Sequence, residues 1–165
     1  MRIILILFIT IISFNCFAST PEKVVSELWQ ALSHDKNRSP DIRKLSQLLH
    51  PEAKVFGLHF NSDKKHNLMV KSGEEFIKLL DRISGKGFYE CEVVRKVTVY
   101  DHFAHVYSVV ETRFEQAKVE PEFTGVNSIQ LVKVEGVWQI LSLYYQVENP
   151  KKVIPLNGGS SGRCL

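Results

Sequence analysis

Between residues 19 and 87, apolar residues recur at helical spacing in three stretches. The first helix is predicted from a cap at Ser19 or Thr20, with Pro21 in its first turn, to about Ser33. The second is predicted from residue 39 until His50-Pro51 stops it, with Leu45 and Leu48 on one side. A capping box at 72–75 predicts the third helix, which the glycines at 85 and 87 end.

A short strand is predicted between the second and third helices, over 53–60, followed by a polar connection over 61–67. From Phe88 to Val147 the pattern alternates, and turn signals at 101–102, 117–121 and 135–136 divide it into a four-strand meander. Helices followed by strands indicate an α+β fold, an antiparallel sheet covered on one face by three N-terminal helices. We predict one domain over 19–150 and a flexible Gly/Ser-rich tail over 151–165.

Two-residue loops at the tight turns would fix which side chains share a face of the sheet. In the last hairpin the inner, core-facing set is then Asn127, Ile129, Leu131, Trp138, Ile140, Ser142 and Tyr144. The outer face is mixed apolar and polar, as a dimer interface requires. We predict that interface from Gln130, Val132, Gln139, Leu141, Leu143 and Tyr145.

The same construction on the hairpin around 101–102 places Cys91, Arg95 and Ser108 on the inner face. Glu92, His105 and Glu111 would then point outward. Arg95 lies directly opposite Ser108, and a buried arginine must reach solvent, pair with a carboxylate or meet a ligand.

Composition and charge exclude some partners. The chain has 165 residues, of which 21 are basic and 18 acidic, giving a formal charge of +3 without a run of five or six like charges. Nucleic acid is therefore not expected as a partner. His102 and His105 point to opposite sides, so no metal site is predicted there, and no cofactor motif is found.

The N-terminus has the layout of a secretory signal peptide, with Arg2, an apolar run over 3–14 and small residues before position 19. We predict cleavage after Ala18 and a secreted or periplasmic protein without a membrane anchor; a lipid anchor on Cys16 is the alternative. Cleavage leaves Cys91 and Cys164, which are free to bridge, to pair between molecules or to remain thiols.

The order of these elements, and above all the stretch "GVNSIQLVKVEGVWQILSL", resembles the nuclear transport factor 2-like superfamily, particularly secreted bacterial members and the SnoaL-like branch. The resemblance covers about residues 21–150. It implies a cone-shaped curved sheet that wraps around the helices and leaves a deep pocket at the open end. It also implies frequent dimerisation through the outer face of the sheet.

The superfamily includes ketosteroid isomerase, scytalone dehydratase, limonene epoxide hydrolase and polyketide cyclases, whose chemistry depends on ionisable groups inside the pocket. In the register above no acid of the long strands points inward. No catalytic residue is therefore predicted. The fold alone does not decide the reaction.

The predicted ligand-binding residues are those expected at the open end of the sheet: Arg95, Ser108, Asn127, Ser142, Tyr144, Trp29 and His59. Arg95 would suit an anion and Trp29 an apolar wall. These residues favour a homodimeric small-molecule-binding domain without catalytic activity. The alternatives are a SnoaL-like lyase or isomerase acting on a small apolar substrate, with His59 or Tyr144 transferring protons, and a protein-binding accessory module.

Overall fold

The computed structural model describes residues 19–60, 66–149 and 151–165, so the predicted signal peptide lies outside the described residues. The chain is an α+β fold of three helices and six strands, which confirms the predicted class. The elements in chain order are α1 (Pro21–Leu32), α2 (Ile42–Leu48), β1 (Leu49–Phe60), β2 (His66–Ser72), α3 (Gly73–Leu80), β3 (Tyr89–Tyr100), β4 (Phe103–Arg113), β5 (Phe123–Val134) and β6 (Val137–Val147).

Local sequence signals place the helix starts. The Thr20 side chain accepts a hydrogen bond from the Lys23 amide at the start of α1, where Pro21 needs no amide partner. At α3 the Ser72 hydroxyl accepts from the Glu75 amide and the Glu75 carboxylate accepts from the Ser72 amide. Both predicted caps are confirmed. Helix α2 ends at Leu48, two residues before the predicted stop, because Leu49 already belongs to β1.

The six strands form one sheet in the order β2-β1-β6-β5-β4-β3. The four-strand meander β3 to β6 is antiparallel throughout, as predicted. Strand β1 is longer than predicted and pairs in parallel with β6, so the sheet is mixed. Strand β2 was not predicted, because it is an edge strand. Leu68 and Val70 remain exposed and Met69 is only partly buried against the core, so the apolar residues do not mark one face in the sequence.

The core lies between the helices and one face of the sheet. Its fully buried side chains come from α1, α2 and strands β1, β4, β5 and β6, and include Leu28, Leu45, Val106, Ile129 and Ile140. Burying each such side chain is worth about 1.5–3 kcal/mol. No helix within the described residues is both long and apolar enough to cross a membrane.

A β-bulge at Val93 corrects the predicted faces of β3. Arg95 pairs with Ser108 as predicted, but Glu92 pairs with Val110 and Val94 with Val109, which leaves Val93 as an extra residue. Beyond the bulge every side chain of β3 changes face. Glu92 therefore points inward and Cys91 outward, the reverse of the prediction.

A second bulge, at Leu141, reverses the predicted faces of β6. Leu131 pairs with Ile140 as predicted, but Gln130 pairs with Ser142, so Leu141 is the extra residue. Ser142 and Tyr144 consequently lie on the outer face. Leu143 and Tyr145, predicted for the dimer interface, lie on the inner face instead.

The C-terminal segment 151–165 lies against the outer face of β3 and β4, where its composition alone predicts a flexible tail. A disulfide joins Cys164 to Cys91. Ile154 and Leu156 pack on a small apolar cluster of that face. The intramolecular bridge is thus the pairing, among those open from the sequence, that the structure shows.

Candidate functional site

A cavity of about 440 Å³ lies between the helices and the inner face of the sheet, at the end away from the two tight hairpin turns. Its apolar walls come from α1, α3 and the central strands: Trp29, Leu32, Phe76, Val110, Phe123 and Leu143. Its main polar groups are His59, Glu90, Thr112, Asn127 and Tyr145. A mostly apolar cavity with a few polar groups is the usual form of a small-molecule site.

Glu90 is the acid of this cavity. The bulge at Val93 turns it to the inner face, where it pairs with Thr112, whose hydroxyl donates to the Glu90 carboxylate at 3.0 Å. Burial raises the pKa of Glu90 to about 7, while the Thr112 hydrogen bond lowers it. The group can therefore hold or release a proton near neutral pH.

His59 and Tyr145 form a second polar pair in the cavity. A hydrogen bond of 3.0 Å joins His59 Nε2 to the Tyr145 hydroxyl, and the two rings meet edge to face. Gly57, beside Tyr145 in the parallel β1–β6 pairing, leaves room for the ring: a Cβ there would lie 2.5 Å from it. Burial raises the pKa of Tyr145, so its phenol stays protonated at neutral pH.

Arg95 belongs to a buried ion pair rather than to the cavity. Its guanidinium donates to the Glu92 carboxylate, and the Ser108 hydroxyl donates to the same carboxylate at 2.6 Å. Arg95 also donates to Ser26 Oγ at 2.8 Å. A carboxylate thus satisfies the predicted buried arginine, and its charge is already neutralised.

A second, more polar chamber of about 370 Å³ adjoins the first. It is lined by Ser26, Gln30, Ser33, Glu92, Arg95 and the C-terminal residues Cys164 and Leu165, together with Trp29 and Glu90. Trp29 and Glu90 line both spaces. Glu90 therefore stands between an apolar cavity and a polar chamber.

The predicted ligand-binding residues divide into three groups. Trp29, His59 and Asn127 line the main cavity. Arg95 and Ser108 hold Glu92. The placement of the other two in the pocket was wrong, because Ser142 and Tyr144 face outward, where the Tyr144 hydroxyl donates to Gln146.

Of the five polar cavity residues named above, the sequence prediction missed three: Glu90, Thr112 and Tyr145. A regular strand puts Glu90 and Tyr145 on the outer face, and only the bulges reverse them. A regular register also gives Thr112 the inner face, but it offers Thr112 no acid as a partner, because Glu90 then points outward. The extra apolar residue at each bulge, Val93 or Leu141, is a weak signal, since either is equally ordinary in a regular strand.

The histidines of the β3–β4 hairpin have separate partners. His102 lies in the turn and hydrogen-bonds the Lys133 carbonyl, whereas His105 pairs with Ser128 Oγ. Within residues 19–60, 66–149 and 151–165, no three His, Cys, Asp or Glu side chains come together in a way that could hold a metal ion.

Comparison with known proteins identifies the fold. No protein-family model matches the chain, and no curated protein matches it. Solved structures do match. An NTF2-like protein of unknown function from Shewanella baltica is 16% identical, with a TM-score of 0.53, over 78% of this chain and 90% of that one. A protein of unknown function with a cystatin-like fold from Nostoc punctiforme is 13% identical, with a TM-score of 0.57, over 78% and 89%.

A third structure, named as a candidate ketosteroid isomerase from Parabacteroides distasonis, is 12% identical, with a TM-score of 0.56, over 84% of this chain and 96% of that one. At these identities the likeness concerns the fold. It confirms the nuclear transport factor 2-like, cystatin-like architecture that the sequence resemblance predicts.

Proposed function

We propose that the protein binds a small, predominantly apolar molecule in the main cavity, as a secreted or periplasmic domain. The observation that carries the proposal is the cavity of about 440 Å³, which falls within the range of roughly 300–1,000 Å³ typical of ligand pockets. Apolar walls would supply most of the binding energy. Asn127 and the His59–Tyr145 pair would orient a polar group of the ligand.

Native mass spectrometry of the purified protein tests this proposal, because a tightly bound small molecule would appear as a mass above that of the chain. Val110→Phe is the informative variant: Val110 is buried and lines the cavity, so a larger ring would occupy the ligand's space. Val137→Phe is the matched control at an exposed strand position. We expect the first variant to lose the added mass and the second to keep it. Equal retention by both variants would move the ligand out of this cavity.

A second candidate function, proton transfer by a lyase or isomerase, is favoured by one observation, Glu90. A carboxyl group with a pKa of about 7, in a mostly apolar cavity, has the properties of a general base or acid. The fold is shared with the protein from Parabacteroides distasonis named as a candidate ketosteroid isomerase. Glu90 would take a proton from a carbon acid and return it to another carbon.

A β,γ-unsaturated ketone tests this second function, since its conversion to the conjugated ketone is followed by ultraviolet absorbance. The base form of Glu90 must be ionised, so the rate should rise with pH through about 7. Glu90→Gln should abolish the reaction. Glu120→Gln, at an exposed position, should leave it unchanged. No conversion by the unmodified protein would leave the binding function as the better account.

A further inference from the structure

The C-terminal strap, residues 151–165, is fastened to the outer face of β3 and β4 at several points. Ile154 and Leu156 pack on the apolar cluster of Cys91, Val93, Val94 and Val109. The Gly162 amide donates to the Glu111 carboxylate at 2.9 Å. Arg113 donates to the same carboxylate at 2.7 Å. The strap is therefore a packed part of the domain.

The last two residues reach further, to the chamber behind Glu90. The Leu165 amide donates to the Glu92 carbonyl at 2.9 Å, and the disulfide fixes Cys164 to Cys91 on the same strand. Cys164 and Leu165 thereby form one wall of the polar chamber that Trp29 and Glu90 share with the main cavity. The two residues that follow Glu90 in β3, Cys91 and Glu92, thus hold this wall in place.

The two cysteines differ in accessibility. Cys91 is buried, with 6% of its surface exposed, whereas Cys164 lies in an exposed stretch at the chain end. A reductant approaching from solvent therefore meets Cys164 first. Once the bridge opens, the Leu165 amide keeps its hydrogen bond to the Glu92 carbonyl, and one such hydrogen bond holds a chain end only weakly.

We propose that the Cys91–Cys164 disulfide is a redox latch: when a dithiol reduces it, Cys164 and Leu165 leave the strand. The chamber behind Glu90, which is already partly open to solvent, then loses one wall and exposes more of Trp29 and Glu90. A thiolate of the dithiol attacks Cys164 Sγ and forms a mixed disulfide, with Cys91 as the leaving thiolate. The second thiol of the dithiol then displaces the Cys164 thiolate. The dithiol becomes a disulfide, having supplied two electrons, and both cysteines end as thiols after taking up protons. The effect on Glu90 rests on the proposed function of the cavity, whereas the latch itself does not.

Hydrogen exchange of the full chain tests the release without any ligand. Oxidised protein and protein treated with dithiothreitol are compared, and free thiols are counted by alkylation and mass. We expect the peptide that covers the last four residues to lose protection on reduction, and the peptide around Cys91 to lose part of its protection. Unchanged protection in protein with both thiols free would overturn the latch and make the bridge a purely structural one.

Trp29 reports the opening of the chamber directly. In a Trp138→Phe background it is the only tryptophan of the chain, so acrylamide quenching measures its exposure. In that background, acrylamide should quench the Trp29 fluorescence of the Cys164→Ser variant more than that of its parent. The Arg163→Ser variant keeps the disulfide, so its Trp29 fluorescence should be quenched to the same extent as that of the parent. Equal quenching in all three proteins would contradict the opening, provided that circular dichroism shows all three folded.

Failure of the latch and failure of the proposed function are distinguishable. The exchange and quenching measurements use no ligand, so a protein that binds nothing can still release its strap. Conversely, a ligand that stays bound in both oxidised and reduced protein would support binding in the cavity and would show that the latch does not affect it.

Discussion

The surroundings of Glu90 explain its raised pKa. Its carboxyl lies between an apolar cavity and a polar chamber, and within the described residues its one hydrogen-bond partner is the Thr112 hydroxyl. A single neutral donor stabilises the charged form too little to offset burial, so the pKa rises to about 7. Nearby Glu92 has more hydrogen-bond donors, because the Arg95 guanidinium and the Ser108 hydroxyl both donate to its carboxylate.

The raised pKa of Glu90 predicts how stability depends on pH. The folded protein holds this proton up to about pH 7, whereas the unfolded chain releases it near 4.5. The contribution of Glu90 to the free energy of unfolding is therefore fully present below pH 4.5, and it is lost as the pH rises through 7. A tenfold change in proton affinity is worth about 1.4 kcal/mol, so the loss is on the order of 3 kcal/mol.

Urea unfolding at a series of pH values measures this loss. Glu90→Gln should remove most of the decline between about pH 5 and about pH 8, because the amide does not ionise. Glu120→Gln should decline like the unmodified protein. A Glu90→Gln protein that retains the full pH dependence would assign it to another group.

Gly57 is a positioning residue for the His59–Tyr145 pair. Gly57→Ala places a methyl group 2.5 Å from the tyrosine ring, so the ring must move and its hydrogen bond to His59 is disturbed. Overpacking of this kind costs about 1–3 kcal/mol. Gly125→Ala, where the nearest atom lies 3.6 Å away, is the control. Chemical unfolding should show the loss for the first variant only.

At the scale of elements, two single-residue bulges determine where the sequence predicts the faces of the strands correctly and where it does not. Both tight turns have the two-residue loops that were assumed. Cross-strand pairs between each turn and its bulge, such as Val134 with Val137 and Arg95 with Ser108, are therefore predicted correctly. Beyond Val93 in β3 and beyond Leu141 in β6, the predicted faces of those two strands are reversed. Alternation specifies a face only while the register holds, and an apolar bulge residue preserves the apolar composition of the strand.

The same reasoning explains which cavity residues were found. Asn127 was placed correctly, because it lies on β5, the strand that carries no extra residue in its hairpin with β6. His59 was placed correctly because β1 has no bulge between 54 and 58, the part that pairs with the end of β6. Helix caps depend on local contacts alone, and both were found. Long-range pairing, such as β1 with β6, has no local signal.

The β5–β6 turn gives a prediction for an element. Glu135 and Gly136 both have positive φ, at 49° and 82°, as a tight two-residue hairpin turn requires. Gly136→Ala should cost roughly 1–2 kcal/mol, because a Cβ in the left-handed region meets the neighbouring backbone. Gly85→Ala, in a loop with nothing within 4 Å of the added Cβ, should cost much less. Thermal unfolding of the two variants would show equal losses if the turn tolerated a side chain.

At the scale of the whole molecule, the strap changes which part of the sheet can meet a partner. It covers the outer face of β3 and β4 around Cys91 and Val94. The outer surface of the β5–β6 hairpin stays uncovered by the strap. Four of the six residues predicted for a dimer interface remain on that surface: Gln130, Val132, Gln139 and Leu141. Phe103, paired with Val132 and 46% exposed, extends this outer patch.

We therefore expect a homodimer that pairs through the outer patch, because mixed apolar and amide side chains without buried charge suit an interface core. Leu141→Glu would place a carboxylate at its centre, and an unpaired buried charge costs several kcal/mol, so this variant should be monomeric. Ile83→Glu, at a loop position that is 76% exposed, is the matched control and should remain dimeric. Light scattering after size exclusion measures both masses. A dimer that persists in Leu141→Glu would place the contact elsewhere, and a monomeric unmodified protein would leave the outer patch without this partner.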